Sequence, residues 1–535
     1  MVPSSITDIF KFYKRLKNIQ PNTALLESLG DCVPGRSQYS IIGVLPVEIL
    51  SVHRNHSTLT NCKTGKSSEV GNWLEIFDRW CVIGQQKLER GPYQTGSIGY
   101  IGYDAKYFFE KLERRINADC DIPDVYLVRY GIVLVYDRKT GKSTWVTEPE
   151  YTNKISFYEA LARSDSESRI TRFALCGDIE MSCTESEYWD SINQVIEYIK
   201  AGDIFQTNYT VRFKGKYTGD SIDLYELLRK LTPNSFFAFL DFPDQIISTS
   251  PERFFNVNGT EIKTNPIKGT MKASVDGVDM AENLKNSKKN RAENIMIADL
   301  MRNDLGRVCE QGSIEVDELC EVHRFNQLYH LESVISGKLN PDVRISDIFK
   351  ATFPGGSITG APKIRAMDII EELETNRRGP YCGAIGFFGN KGWVDTSIAI
   401  RTIYFNNGQL FFHAGGGIIV DSEPSDEYRE LQLKIQVILE ALESFNVMRE
   451  VRRKLDKVDD EIFNLIKFRF KIIEEVSQIK SNYGVPVLQS NRVKLMIEKR
   501  EQQLEELGSV SKPLVKDIYR VLVNHSMDFE KTLAN

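Results

Sequence analysis

Short apolar runs alternate with Gly and Pro through the first quarter of the chain, as in Tyr39-Ser-Ile-Ile-Gly-Val44 and Gly131-Ile-Val-Leu-Val-Tyr-Asp137. β-branched and aromatic runs bounded by turn formers predict strands, so a large antiparallel sheet layer is expected between about residues 25 and 146. Helical spacing of apolar residues predicts helices over residues 185–200 and 280–305, and strands return at Phe236-Phe-Ala-Phe-Leu240 and Gln409-Leu-Phe-Phe-His413. Residues 1–445 therefore read as one α+β body, with an N-terminal part to about residue 150 and a catalytic core from about 180.

After Asn446 the texture changes. Pro and Gly nearly vanish, and Val451, Leu455, Val458, Ile462, Leu465, Ile472, Val476 and Ile479 recur at close to the period of a helix. One long amphipathic helix is expected, ended by the turn Tyr483-Gly-Val-Pro486, with a second from about 491 to 507 and a third from about 512 to 533. Residues 446–535 thus form a separate all-α domain of three helices.

The 535-residue length, with 27% charged and 41% hydrophobic residues, agrees with a soluble chain of more than one domain. A net charge of -6 supplies no general attraction to nucleic acid or anionic membrane, so an anionic substrate would need a local cluster of cations. Nine cysteines without a Cys-x-x-Cys pair, and only six histidines, exclude a zinc-ligand spacing and fit reduced thiols in the cytoplasm. Met1 to Gln20 lacks the apolar stretch of a signal peptide, and no run is long enough to span a membrane. Gly65-Lys66-Ser67 and Gly141-Lys142-Ser143 lack the upstream glycine of a phosphate loop, having Thr60 and Tyr136 there.

The chemistry concentrates elsewhere. Lys268 sits in Pro266-Ile267-Lys268-Gly269-Thr270, a strand end that also supplies a turn. Taken alone, a lysine there snorkels to the surface. Its company changes the reading: KNRAENIMIADLMRNDLGR from Lys289 to Arg307, FPGGSITGAPK from Phe353 to Lys363, His413-Ala-Gly-Gly-Gly417, and Glu427-Tyr-Arg-Glu430. Together these segments resemble the chorismate-utilising enzymes, and the lysine places the resemblance with their aminodeoxychorismate synthase component I branch.

That resemblance implies a fold of the anthranilate synthase component I type, chorismate as substrate, and Mg²⁺ held by Glu293, Glu427 and Glu430. The hard oxygen set suits this ion, although an acidic pair three residues apart is ordinarily a solvated helix face. Glu252, in Ser250-Pro251-Glu252-Arg253, takes the position of the general acid at the ring hydroxyl. Arg401, Lys434, Thr359 and the amides of Gly415, Gly416 and Gly417 are implied to hold the carboxylates, and His330 matches an active-site histidine. Gln206 stands where isochorismate and salicylate synthases carry a water-activating lysine, and glutamine cannot serve as that base. Anthranilate synthases carry alanine where this chain has Lys268, which is implied to attack C2 of chorismate as the C4 hydroxyl leaves. The nucleophile must be a neutral amine, so burial beside the cation is expected to favour deprotonation. The chain contains no glutaminase sequence, which implies a separate glutamine amidotransferase subunit as the ammonia source. Leu25-Leu-Glu-Ser28 and Gly35-Arg-Ser-Gln-Tyr-Ser40 resemble the segment that cradles tryptophan in relatives, and an ordinary strand and turn explains them equally well.

In the C-terminal domain Arg469 and Lys480 lie on or beside the apolar stripe, with Arg452 flanking its start. Inward cations need anions, or they snorkel around a helical seam. Their spacing with Arg492 and Ser526 resembles the AroQ-type chorismate mutases, which implies a helical homodimer enclosing a dianion. Gln489 and Val493 replace acidic residues of many relatives, and Glu530 replaces a glutamine that donates to the ether oxygen, so Glu530 must be protonated to do so. The altered hydroxyl contacts point to 4-amino-4-deoxychorismate, rearranged to 4-amino-4-deoxyprephenate. The alternatives are an ordinary mutase attached to a folate-pathway synthase, or a helical dimerisation or regulatory module without catalysis.

Overall fold

The computed structural model describes residues 1–33, 37–54, 56–84, 91–116, 119–164, 172–275, 278–325, 328–485, 494–495, 498–499 and 512–534. It divides into two compact units, Met1–Asn446 and Val447–Asn535.

In the first unit the main strands join in one antiparallel path, with Ser274–Val275 and Val278–Asp279 forming a separate pair. Gln206–Thr218 pairs with Gln409–Ile418, which pairs with Thr402–Asn406 and then, through Ile246–Ser250, Phe236–Asp241 and Thr23–Glu27, reaches Tyr39–His53. From Tyr39–His53 the path continues through Val125–Asp137, Gly96–Ile101, Ala384–Gly389, Trp393–Ile398, Arg253–Asn258 and Glu261–Asn265 to Leu328–Lys338. Residues from both halves, among them Ile98, Tyr130, Leu240, Phe387 and Tyr404, meet in an inner core. Helices cover two further apolar clusters on the outer faces. Strand Val125–Asp137 is buried along nearly its whole length, which explains why it reads as a continuous apolar run and not as an alternation.

Helix Glu185–Lys200 starts on a capping box, Thr184 with Glu187. The single helix expected over 280–305 is two, Ala281–Lys285 and Lys288–Gly306. Ser287 breaks the run, because its hydroxyl accepts from the Asn290 N–H and caps the second helix.

In the second unit the helix Val447–Tyr483, 37 residues long, packs against Lys512–Ala534. Ile473 and Val523 are buried between them, and Phe470 meets Phe529 edge-on with centroids 5.4 Å apart. Along the remaining stripe Leu455, Val458, Leu465 and Ile479 are half or more exposed in the single chain. The second helix expected near 491–507 falls largely outside the described residues. No described helix is long and apolar enough to cross a membrane.

Candidate functional site

Strand Ile267–Lys272 pairs with Leu328–Lys338 through an irregular register: Ile267 faces Glu332, whereas Thr270 faces His330. Three steps on one strand thus answer two on the other, a bulge of one residue. Gly269 supplies the φ of +83° that this bulge requires. The effect is to take Lys268 out of strict alternation and leave it half-buried.

The two ends of the sheet path meet here. A Cβ added to Gly417 would lie 3.4 Å from Lys268 Nζ and 2.4 Å from Gln206 Nε2, so the missing side chain is the space these groups use. Gln206 is 1% exposed, and its Oε1 has no hydrogen-bond partner among the described residues. A buried amide oxygen left open is costly unless something else occupies it. Gly416 makes room for Glu427 Oε2, 3.0 Å from where a Gly416 Cβ would stand, and Gly415 accepts from Lys434 Nζ at 2.8 Å through its carbonyl.

Glu252 is buried and accepts a 2.9 Å hydrogen bond from Ser357 Oγ. Burial raises its pKa to about 7, opposed by the Ser357 hydrogen bond and the charge of Lys268. It is therefore poised between its protonated and ionised forms near neutral pH. His330 is also buried, its Nδ1 3.0 Å from Thr270 Oγ1.

Arg401 occupies a left-handed backbone conformation, φ +51°, where its carbonyl accepts from Thr249 N and Oγ1. Burial alone lowers its guanidinium pKa, and no described residue supplies a counter-anion. A desolvated cation without an anion marks a place for one. Thr359 is fully buried and turns its hydroxyl into its own loop, donating to Gly355 O at 2.9 Å.

Glu427 and Glu430 lie one turn apart on the helix Pro424–Glu443. Glu427 is 4% exposed and accepts from Ser422 Oγ at 2.7 Å, with Lys289 Nζ 4.0 Å away. Burial and then the charge of Glu430 raise its pKa, against the Ser422 hydrogen bond and two lysines. Glu430 pairs with Lys434 at 2.7 Å, and that lysine lowers its pKa. Glu293 is partly buried on Lys288–Gly306. Among the described residues no three acidic, histidine or cysteine side chains form a metal-binding group. The buried Glu427 and the half-exposed Glu430, which repel each other, are nonetheless hard oxygen donors whose charge a divalent cation would relieve.

Sequence reasoning overlooked Ser357, Thr270 and Lys289. All three stand inside or beside the quoted motifs, but nothing in the motif text says that Ser357 addresses Glu252 or Thr270 addresses His330. The structure also shows a cavity lined by Glu27, Ser28, Tyr39, Phe236 and Trp393. Glu27 there is already engaged by Arg229 at 2.6 Å, and Gly35 and Arg36 lie outside the described residues.

In the second unit Arg469 Nη1 donates to Ser526 Oγ and to Leu522 O at 3.2 Å. Burial lowers the pKa of Arg469, and Ser526 is 7% exposed. Lys480 is partly buried on the same helix as Arg469. Gln489, Arg492, Val493 and the side chains of Arg452 and Glu530 lie outside the described residues.

Residues 49–440 match the chorismate binding enzyme family, and residues 451–531 match chorismate mutase type II. Aminodeoxychorismate synthase component 1 of Escherichia coli strain K12 is 41% identical over 439 residues, covering 81% of this chain and 95% of the relative. Its Klebsiella aerogenes counterpart is 35% identical over 443 residues, covering 82% and 97%. The crystal structure of anthranilate synthase component I from Streptococcus pneumoniae TIGR4 superposes with a TM-score of 0.65 at 31% identity, covering 76% of this chain and 92% of that one. The chain thus belongs to the chorismate binding enzyme family, with a region of the chorismate mutase type II family at its C-terminal end.

Proposed function

We propose that the first unit converts chorismate and ammonia to 4-amino-4-deoxychorismate, and that the second rearranges this product to 4-amino-4-deoxyprephenate. The observation that carries the first half is the convergence of Lys268 Nζ and the open Gln206 amide over Gly417. In this reading Lys268 Nζ forms a bond to C2, the ring double bonds shift, and the C4–O bond breaks. The proton on Glu252 leaves with that oxygen as water. Ammonia then bonds to C4, the double bonds return, and the C2–N bond breaks to restore the lysine. Arg401 and Lys434 neutralise the substrate carboxylates. Glu427 and Glu430, with Glu293, are the residues that would hold Mg²⁺, which when bound neutralises substrate negative charge. His330, fixed by Thr270, orients the ring.

The full-length similarity to relatives named component 1 supports a separate glutamine amidotransferase subunit that supplies the ammonia. The exposed apolar stripe on Val447–Tyr483 supports a homodimer formed through the helical unit. The cavity beside Tyr39 and Trp393 would be the place for the bound tryptophan that the resemblance implies, which native mass spectrometry would detect.

Incubating the protein with chorismate, Mg²⁺ and ammonium should give a product whose mass differs from chorismate by exchange of hydroxyl for amine, followed by its rearranged isomer. Lys268→Ala should abolish amination, and intact amination by that variant would refute the covalent role. For the second unit, kcat/KM should favour the amino substrate over chorismate. A strong preference for chorismate would instead assign it ordinary mutase activity.

A further inference from the structure

We propose that Asn294 is a positioning residue that locks the nucleophilic lysine and the site histidine to the helix carrying Glu293. The inference rests on the reading of Lys268 as nucleophile. Asn294 is fully buried, on Lys288–Gly306. Its Nδ2 donates to Pro266 O at 3.4 Å and to Leu331 O at 3.2 Å. Its Oδ1 accepts from Ser333 Oγ and from Cys320 Sγ, the latter at 3.5 Å. One planar amide thus engages the start of strand Ile267–Lys272, strand Leu328–Lys338 and strand Glu315–Phe325 at once.

The places it engages are specific. Pro266 immediately precedes the irregular stretch from Ile267 to Thr270, and Leu331 faces its extra residue, where regular pairing is interrupted. Lys268 is two residues beyond Pro266, and His330 is the neighbour of Leu331. Ser333 reinforces the arrangement, since its N–H also donates to Pro266 O at 3.2 Å and its hydroxyl accepts from the Cys320 N–H at 3.0 Å. One turn earlier on the helix, Asn290 packs against the bulge, its Cγ 2.8 Å from where a Gly269 Cβ would stand. Glu293, next to Asn294 in sequence, is indexed by the same contact.

Only an amide of this length offers donors and an acceptor from one rigid group. Aspartate keeps the shape and the acceptor but loses both donors, so the bulge would lose its anchor to the helix while the core stays filled.

The test compares Asn294→Asp, Ser333→Ala and Lys268→Ala in the whole protein with chorismate, Mg²⁺ and ammonium. Asn294→Asp should lower kcat for amination by about 30-fold or more, since small misplacements at a reacting centre cost this much. KM for chorismate should stay within about threefold. The chorismate-derived adduct on the peptide carrying Lys268, measured by mass without ammonia, should fall in parallel. Ser333→Ala, which leaves Oδ1 with only the weak Cys320 thiol as donor, should lower kcat by about fivefold, again without raising KM. A purely structural role would reduce the folded fraction but leave kcat per folded molecule and adduct yield unchanged, which would overturn the proposal. Should Asn294→Asp fail to fold, Ser333→Ala decides by the same criterion. Amination retained by Lys268→Ala would overturn the nucleophile reading, and the positioning role with it.

Discussion

At the scale of single residues, Glu252 is the group whose environment departs furthest from water in a way that chemistry can use. Its pKa is pushed up to about 7 by burial, above the value of about 4.5 for an exposed glutamate. Two outcomes follow, and both have a definite sign. If Glu252 delivers the proton, amination should fall as pH rises through about 7, and Glu252→Gln should remove this limb together with most of the rate, as a pH–rate profile would show. The folded state also holds a proton between about pH 4.5 and 7 that the unfolded state has released. Stability should therefore decline by up to about 3 kcal/mol as pH rises across that window. Denaturant midpoints of Glu252→Gln should lack this decline. None of this was legible in the sequence, where Ser250-Pro-Glu-Arg gives no burial. The hydroxyl that meets Glu252 comes from Ser357, 105 residues away. Motif reading found Lys268, Glu252 and the glycines. It missed Ser357, Thr270 and Asn294, because their contacts exist only between segments distant in sequence.

At the scale of elements, the bulge after Ile267 and the glycines of strand Gln409–Ile418 are the devices that shape the site. Gly269→Ala should destabilise the protein by about 1–2 kcal/mol, because L side chains resist that φ and because the new methyl meets Asn290. It should also lower amination further than this loss of stability explains. Gly417→Ala should leave the melting temperature nearly unchanged while abolishing amination, since the methyl would displace the side chains of Gln206 and Lys268 and no backbone. Thermal denaturation and turnover measured on the same sample check both. Periodicity located the helices well where one face is apolar, as in Glu185–Lys200 and Val447–Tyr483. It ran through Ser287, because a capping serine looks like any polar position until its hydroxyl is seen to accept.

At the scale of the whole molecule, the break in texture after Asn446 was legible because Gly and Pro disappear together as the helical period begins. The sandwiching of the sheet path was not legible, because antiparallel register over hundreds of residues leaves no local mark. The second unit carries its own prediction. Arg469 is held by Ser526 and Leu522, so Arg469→Ala should cost about 100-fold or more in rearrangement while leaving the oligomeric state by sedimentation unchanged. Dissociation without kinetic loss would instead assign this arginine to assembly.

The site draws on Gln206 near the middle of the chain, Lys268 beyond it, and Gly417 close to the end of the first unit, brought together by pairings of high sequence separation. During synthesis the strand that carries Gly417 is the last of that unit to leave the ribosome, so the proposed site cannot be complete before it. Closure entropy for such distant segments makes folding slow. The proposed chemistry would therefore become available all at once, in finished molecules and not in partly folded ones.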